Sequence, residues 1–315
     1  MPATVLLGPQ LRRPTFPAWV EELAPRGPLA LVTAGWRERE AEDDEIRRRL
    51  AGREVLNLEL GARSDAVFRE EPNLADRARA ARGARLELQR LYRRRLDHAL
   101  AAARELQGLD DDGEILEAAR GEALEAVREL DRRHLERTAR IRREHDAALE
   151  DPPAALALQR AEVAASIEAA AAVLIAGGHV EVLLDCLRLF DVEAGLRRRP
   201  LIAWSAGAMA LSERIVLFHD RPPWGAGNAE CLAHGLAVCR DVQPFPHARR
   251  RLRVRDDRRV ALLARRFAPA LCLGLDEGSV ARTSDGAWQV RSVLHLRPGG
   301  GADLSGEDDW EELMP

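Results

Sequence analysis

An apolar, strand-like run leads directly into a serine in the segment Pro200-Leu-Ile-Ala-Trp-Ser205-Ala-Gly-Ala-Met-Ala. The small residues that follow Ser205 predict a tight turn into a helix. A nucleophile elbow requires this composition, because its serine occupies a strained turn whose neighbours must clear the backbone. The alternative is an ordinary strand–helix turn with a buried serine, since Ala203 replaces the first glycine of the common G-x-S-x-G form.

Two glycines close a second apolar run, Val173-Leu-Ile-Ala-Gly177-Gly178, one βα unit before the serine. Such a turn can bring a backbone N–H close to a substrate carbonyl and complement the amide of Ala206 as an oxyanion hole. A strand–Gly–Gly–helix pattern is weak evidence by itself, because glycines occur in many βα turns. Its place directly before the elbow makes it informative.

Two ionisable residues follow later strand-like runs. His247 ends Val242-Gln-Pro-Phe-Pro-His247, and Glu277 lies between a predicted strand and Gly278. The carboxyl ends of parallel strands converge on one edge of a sheet, so Ser205, His247 and Glu277 could meet there. A serine nucleophile needs an adjacent base, and that base needs an orienting acid. Each of His247 and Glu277 alone is more typical of a loop histidine or a capping glutamate than of a catalytic residue.

Short apolar runs alternate with helical patterns along most of the chain, which predicts an α/β fold with a parallel sheet covered by helices. The predicted strands are residues 4–8, 29–35, 54–60, 172–178, 201–204 and 270–275. The predicted helices are residues 38–50, 161–170, 180–196 and 257–267. We expect this domain to comprise residues 1–63 and 154–304.

Residues 64–153 interrupt that alternation with a composition dominated by Ala, Arg, Glu and Leu, which favours long helices. They predict an inserted helical hairpin or bundle that turns at Asp110-Asp111-Asp112-Gly113. One stripe recurs at helical spacing: Leu116, Ala119, Ala123, Val127, Leu130, His134, Thr138, Ile141, His145 and Ala148. Its expected partner is the preceding helix, then another subunit, then a separate protein. The candidate contacts on the preceding helix are Leu88, Leu91, Leu96 and Leu100.

The C-terminal region predicts a β-hairpin and then a tail. Asp285-Gly286 is a turn signal between residues 278–283 and 288–296. Residues 305–315 are acidic and predict a solvated, flexible tail.

Composition excludes several classes of function. The net charge is only -4, which gives no electrostatic basis for binding nucleic acid. The apolar run 169–176 is too short to span a bilayer, and the N-terminus lacks a signal-peptide pattern, so we expect a cytoplasmic protein that does not bind membranes. The cysteines form no CxxC pair, and no histidines lie at metal-ligand spacing. No glycine-rich nucleotide loop is present, and we expect neither metal nor organic cofactor.

Taken in order, the strings Ile-Ala-Gly-Gly, Ala-Trp-Ser-Ala-Gly-Ala, Phe-Pro-His and Gly-Leu-Asp-Glu-Gly-Ser resemble the motifs of the aspartyl dipeptidase and cyanophycinase serine peptidases. The resemblance covers residues 161–283, and residues 4–60 fit as the opening strands. It implies a parallel-sheet sandwich of the class I glutamine amidotransferase-like type. It also implies roles for individual residues: Ser205 as nucleophile, His247 as general base, Glu277 as orienting acid with Asp220 as its rival, and the amides of Gly178 and Ala206 as oxyanion donors.

The chain departs from that family in three places. His179 stands where the family usually has Asn or Asp, beside Gly177 at the expected substrate contact. The arginines after His247 do not have the spacing associated with cyanophycin cleavage; these are Arg249, Arg250 and Arg251. They could bind a substrate carboxylate or form a solvated basic face. The long helical insertion belongs to neither well-known member. No cysteine occupies the elbow, which argues against amidotransferase chemistry.

Two functions remain open at this point. The first is a serine hydrolase that cleaves a peptide or isopeptide amide, possibly next to an acidic residue, in a peptide-like small substrate. The second is a catalytically idle scaffold whose insertion binds a protein partner or a second copy of the chain, for example as a homodimer. The three candidate triad residues favour the enzyme, whereas His179 and the insertion favour the scaffold.

Overall fold

The computed structural model describes residues 2–110, 113–218, 227–284, 287–307 and 309–314. Its centre is an eight-stranded sheet with β1 in the interior. In spatial order the strands are β14 (Glu311–Leu313), β11 (Ala287–Arg291), β10 (Val280–Ser284), β1 (Thr4–Leu7), β5 (Leu201–Trp204), β4 (Ala172–Ile175), β2 (Leu29–Val32) and β3 (Val55–Asn57). The five strands from β1 to β3 are parallel, and β10, β11 and β14 continue the sheet antiparallel.

A second sheet accompanies the first. Its strands, in spatial order, are β13 (Ala302–Ser305), β12 (Val293–Leu296), β9 (Leu271–Leu275) and β8 (Val242–Pro246). Only β8 and β9 are parallel in this sheet. A separate antiparallel pair is formed by β6 (Arg214–Leu217) and β7 (Glu230–His234). The predicted strand at 270–275 therefore belongs to the smaller sheet rather than the central one.

Helices cover both faces of the central sheet and also pack on the smaller one. They are α1 (Phe16–Leu23), α2 (Asp44–Arg49), α3 (Leu60–Glu70), α4 (Pro72–Gly108), α5 (Glu114–Asp146), α6 (Ala154–Ala169), α7 (Val180–Leu189), α8 (Glu193–Leu196), α9 (Ala206–Leu211), α10 (Ala248–Arg251) and α11 (Asp257–Phe267). A 3₁₀ helix spans Ala34–Arg39, and a shorter one spans Ala147–Leu149. Alternate residues of β1 enter different cores: Val5 and Leu7 pack on the α1 side, and Leu6 on the other. The α/β fold class is confirmed, including the inserted helices and the C-terminal strands.

The insertion is a hairpin of α4 and α5. Tyr92 contacts Asp131, whereas Arg120 near the start of α5 donates to the carbonyl of Leu106 near the end of α4, so the helices are antiparallel. Their buried side chains join the same core as the central sheet rather than forming a core of their own. Of the four leucines expected to face the stripe, Leu96 and Leu100 are buried, Leu88 is partly buried, and Leu91 is exposed.

A buried ionic network fixes the hairpin to the rest of the protein. Arg266 of α11 donates to both carboxylate oxygens of Asp131 on α5, at 2.6 and 2.7 Å. The Tyr92 hydroxyl of α4 donates to the same carboxylate at 2.6 Å, and its ring stacks on His134 at 4.0 Å. Because these side chains come from three helices, the network closes only when the hairpin is docked.

Two boundaries differ from those expected. The predicted boundary between residues 63 and 64 falls inside α3, although the one between 153 and 154 coincides with the start of α6. The predicted second strand of the hairpin, 288–296, is divided at Ser292, whose φ is 54°, into β11 of the central sheet and β12 of the smaller one. The turn at Asp285-Gly286 lies outside the described residues.

The acidic C-terminal segment also differs from the predicted flexible tail. Ser305 ends β13, and Glu311–Leu313 form the edge strand β14 paired with β11. The indole of Trp310 lies 4.1 Å from the guanidinium of Arg282 and packs edge-on against Trp19. An aromatic anchor in an otherwise acidic stretch therefore attaches the segment to the sheet.

No helix in the described part of the chain combines the length and the apolar composition that crossing a membrane requires.

Candidate active site

Ser205 occupies the turn between β5 and α9. Its φ is 53° and its ψ is -118°, a region that L-amino acids with side chains rarely adopt. Its backbone N–H donates to the carbonyl of Leu7 at 3.3 Å, which ties the turn to the end of β1. The residue is only partly buried, whereas every residue of α9 is buried. The serine side chain is thus held at the accessible end of an otherwise enclosed strand–helix unit.

Glycines allow neighbouring backbones to approach this turn closely. A Cβ on Gly177 would lie 2.8 Å from the Ser205 Cβ and 3.2 Å from its Oγ, and one on Gly207 would lie 2.4 Å from the Ile175 carbonyl oxygen. Gly178 has φ +111°, and a Cβ there would meet the carbonyl oxygen of Gly35 at 2.3 Å. A larger residue would displace backbone at Gly178 or Gly207, and the Ser205 side chain at Gly177. Gly35 was not singled out from the sequence, although it ends a predicted strand.

The oxyanion donors predicted at Gly178 and Ala206 remain a prediction. Ala206 is the first residue of α9, where a backbone N–H has no intrahelical acceptor. Gly178 N–H donates to no acceptor within the described part of the chain. Both amides lie in turns that flank Ser205, so the arrangement can place two donors beside a carbonyl bound at the serine.

His179 has an observed structural contact. It is the N-cap of α7, and its Nδ1 accepts a hydrogen bond from the Val182 N–H at 3.4 Å. The backbone N–H of His179 donates to the Gly35 carbonyl at 2.7 Å. The imidazole therefore supports the glycine turn through the start of α7, and its predicted contact with substrate remains untested.

His247 directly follows β8 in a left-handed conformation, with φ 60° and ψ 36°. Its backbone N–H donates to the carbonyl of Leu275 at 2.9 Å, and its side chain is partly buried. Burial, and then the charges of Arg251 and Arg250, lower the pKa of His247 to about 4. The imidazole is therefore neutral at neutral pH and can accept a proton. Among the described residues, no hydrogen bond joins it to Ser205.

Glu277 contacts the loop after β1. Its Oε1 accepts hydrogen bonds from the backbone N–H groups of Arg12, at 2.7 Å, and Arg13, at 2.6 Å. Within the described ranges no hydrogen bond joins its carboxylate to His247, so its role as orienting acid remains a prediction. Its predicted rival, Asp220, lies outside the described residues.

Asp276 is an acidic neighbour that the sequence interpretation passed over. Parallel pairing of Pro246 with Leu275 makes His247 and Asp276 the next residues on adjacent strands. The Asp276 carboxylate accepts the Arg249 N–H at 3.2 and 3.3 Å and lies 3.5 Å from the Arg249 Nε. Burial raises the pKa of Asp276, and the Arg249 N–H opposes that shift. The position of Asp276 beside His247 depends on the register of β8 with β9, which the sequence does not specify.

Gly8 connects these parts of the site. A Cβ on Gly8 would lie 1.7 Å from the carbonyl oxygen of Asp276, so β1 and the turn after β9 fit together only with glycine here. Because Leu7 also accepts the Ser205 N–H, the end of β1 lies between the serine turn and the Asp276–Glu277 turn. The structure thus places Ser205, the glycine pair and the two carboxylates around the end of β1.

No protein-family model matches the chain, and no curated protein matches it. Among solved structures, the chain is similar to the crystal structure of a peptidase from an acI-B1 Actinobacterium. The sequences are 15% identical, the match covers 99% of this chain and 96% of the other, and the TM-score is 0.49. Any assignment of function therefore rests on the residues of this chain.

Proposed function

We propose that this chain is a serine hydrolase that cleaves a peptide or isopeptide amide, with Ser205 as nucleophile. The observation that carries the proposal is the backbone of Ser205, a non-glycine residue at φ 53° and ψ -118° between a buried strand and a helix N-terminus. Such strain costs about 1–3 kcal/mol and persists only where the surrounding structure enforces it. An elbow nucleophile uses this geometry to present its hydroxyl beside free backbone amides.

The proposed chemistry begins with attack of the Ser205 Oγ on the amide carbonyl carbon, while His247 accepts the hydroxyl proton. The oxyanion that forms would accept hydrogen bonds from the amides of Gly178 and Ala206. Collapse breaks the C–N bond, and His247 returns the proton to the departing amine. Water then hydrolyses the acyl ester by the same base, which regenerates the serine.

Glu277 remains the proposed orienting acid, with Asp220 as alternative, and the structure adds Asp276 as a third candidate. Catalytic hydrogen bonds are often long or misaligned without substrate, so a Glu277 engaged with Arg12 and Arg13 is compatible with the role. Loss of kcat in Glu277→Gln, with kcat retained in Asp276→Asn, supports Glu277. The reverse pattern assigns the role to Asp276.

A substrate with an acidic residue fits the basic residues that follow His247. Arg249 is partly engaged by Asp276, whereas Arg250 is exposed and forms no salt bridge within the described part of the chain. We therefore propose that Arg250 contacts a substrate carboxylate, with Arg249 in support.

The test is labelling with a fluorophosphonate probe, which reacts covalently with activated serine hydroxyls. The native chain should be labelled, Ser205→Ala should not be, and Ser166→Ala on the exposed face of α6 is the matched control. Equal labelling of Ser205→Ala and the native chain would exclude Ser205 as the nucleophile.

One observation favours the alternative of a catalytically idle scaffold whose helical insertion mediates protein–protein or self-association. The described residues include no hydrogen bond from His247 to either Ser205 or Glu277. If a folded native chain fails to react with the probe, this scaffold function becomes the better proposal.

A further inference from the structure

A cavity of about 620 Å³ lies where the insertion meets the central domain. Its walls come from the 3₁₀ helix after β2, from α3 and α7, and from the base of the hairpin formed by α4 and α5. None of Ser205, His247 or Glu277 lines it, so it is separate from the candidate active site. The volume is typical of a pocket for a small ligand.

One wall of the cavity is basic and contains an incompletely bonded guanidinium. Arg142 of α5 has a side chain that is only 8% exposed, with Nη1 2.8 Å from an Asp185 oxygen. Its Nε is buried and donates to no acceptor among the described residues. Arg85 shares the same Asp185 carboxylate at 2.8 Å. Two arginines thus share one carboxylate, and a buried donor remains for another acceptor.

This wall has an excess of positive charge. Among its described lining residues, α4, α5 and α7 contribute five arginines and three carboxylates. Arg82 lines the cavity, is exposed and forms no salt bridge within the described ranges. Burial, and then the charge of Arg142, lower the pKa of Arg188 to about 10, as expected for crowded cations.

A second wall, formed by the elements before α4, carries the reverse charge. Among described lining residues before α4, there are four carboxylates and one arginine. Glu40 is buried and accepts the N–H groups of Gly61 and Ala62, so it is already satisfied. Glu59 and Asp65 are exposed, form no salt bridge in the described part of the chain, and add to the effect of burial that raises the pKa of Glu40.

We propose that this cavity binds a short zwitterionic peptide. The peptide carboxylate would pair with the guanidinium groups of Arg142 and Arg82, and its ammonium group would lie near Glu59 and Asp65. A ligand with both charges satisfies both walls, whereas a simple anion or cation would leave one wall uncompensated. The site exists only because the insertion supplies the basic wall, which gives the hairpin a role beyond stability. The proposal is independent of the hydrolase function.

The test uses the full-length Ser205→Ala chain, so that no probe can be hydrolysed at the serine. Three peptides with the same three glycine residues separate the charges: triglycine, N-acetyltriglycine without the ammonium, and triglycinamide without the carboxylate. Binding is measured by isothermal titration calorimetry at low salt and by saturation-transfer NMR. Triglycine should bind. Each blocked peptide should bind more weakly by about tenfold or by a larger factor, because it has lost one charge-assisted hydrogen bond.

Two tryptophan variants locate the binding. Ala78→Trp places an indole in the cavity, whereas Ala80→Trp places one on the exposed surface of the same helix, outside the cavity. Ala78→Trp should abolish triglycine binding and Ala80→Trp should preserve it. Arg142→Gln should weaken triglycine and N-acetyltriglycine but not triglycinamide. If triglycine does not bind, if all three peptides bind equally, or if folded Ala78→Trp binds like Ala80→Trp, the proposal is wrong.

Discussion

The Ser205 turn and the Tyr92–Asp131–Arg266 network use their polar groups in opposite ways. At the turn, a strained serine and two flanking amides have few partners in the described structure. In the network, a carboxylate accepts three hydrogen bonds from a tyrosine and an arginine, all in the interior. If Ser205 is the nucleophile, the comparison separates residues that react from residues that hold the fold together.

The largest expected effect is at the turn, in catalysis. If Ser205 is the nucleophile, Ser205→Ala should lower kcat by about 10⁴-fold or more, and His247→Ala by a similar factor, because triad members act as a unit. The double variant should be little worse than either single variant. Steady-state kinetics on the substrate that the native chain cleaves fastest would measure this. Unfolding free energies within about 0.5 kcal/mol of the native value would show that folding is intact. Multiplicative losses in the double variant would contradict a shared mechanism.

In the network, the expected effect is on stability. Asp131→Ala leaves Arg266, whose side chain is 1% exposed, as an uncompensated buried charge and should reduce the free energy of unfolding by about 3–5 kcal/mol. Chemical denaturation measures the loss, and Glu129→Gln on the exposed face of α5 is the control, expected within about 0.5 kcal/mol. The folded fraction of Asp131→Ala should retain probe reactivity at Ser205. If it does not, the two regions are coupled and the contrast between them fails.

The same network gives a pH dependence. Burial lowers the pKa of His134 to about 4, below its ordinary value of 6.5, so the unfolded chain binds more protons between these values. This histidine therefore contributes stability that is complete above about pH 6.5 and declines as pH falls toward 4, by up to about 3 kcal/mol.

His134→Phe keeps a ring against Tyr92 but cannot titrate. Denaturation midpoints are compared for the two chains at pH 7, 6, 5 and 4. The difference between them should grow as the pH falls, because the native chain loses more stability in acid. Parallel pH profiles for the two chains would show that His134 is not buried in neutral form.

Local sequence predicted the Ser205 turn well, because strand, turn and helix signals there lie within about ten residues. It could not predict that Glu277 contacts the loop after β1 or that Asp276 lies beside the start of α10, since both follow from strand register between distant segments. Composition predicted the helices of the insertion but not their docking, which depends on Arg266 more than a hundred residues later. The edge strand β14 was missed because acidic residues outnumber the single anchoring Trp310.

The smallest expected effect concerns His179, which combines a predicted functional role with an observed structural one. It lies beside the glycine turn as a predicted substrate contact, yet its observed contact is the N-cap of α7. Because the N-cap hydrogen bond from Val182 N–H to the His179 Nδ1 is long, its loss should lower the free energy of unfolding by about 0.5–1 kcal/mol. We expect that loss in His179→Ala. His179→Asn should restore it, because asparagine is a preferred N-cap. Thermal and chemical denaturation measure stability, and KM on the best substrate reports binding. Unchanged KM in both variants limits His179 to support of the turn. An equal rise of KM in His179→Ala and His179→Asn, with the stability of His179→Asn unchanged, identifies a direct contact between the imidazole and the substrate. In His179→Asn the helix is still capped, so the imidazole contact is what that variant lacks.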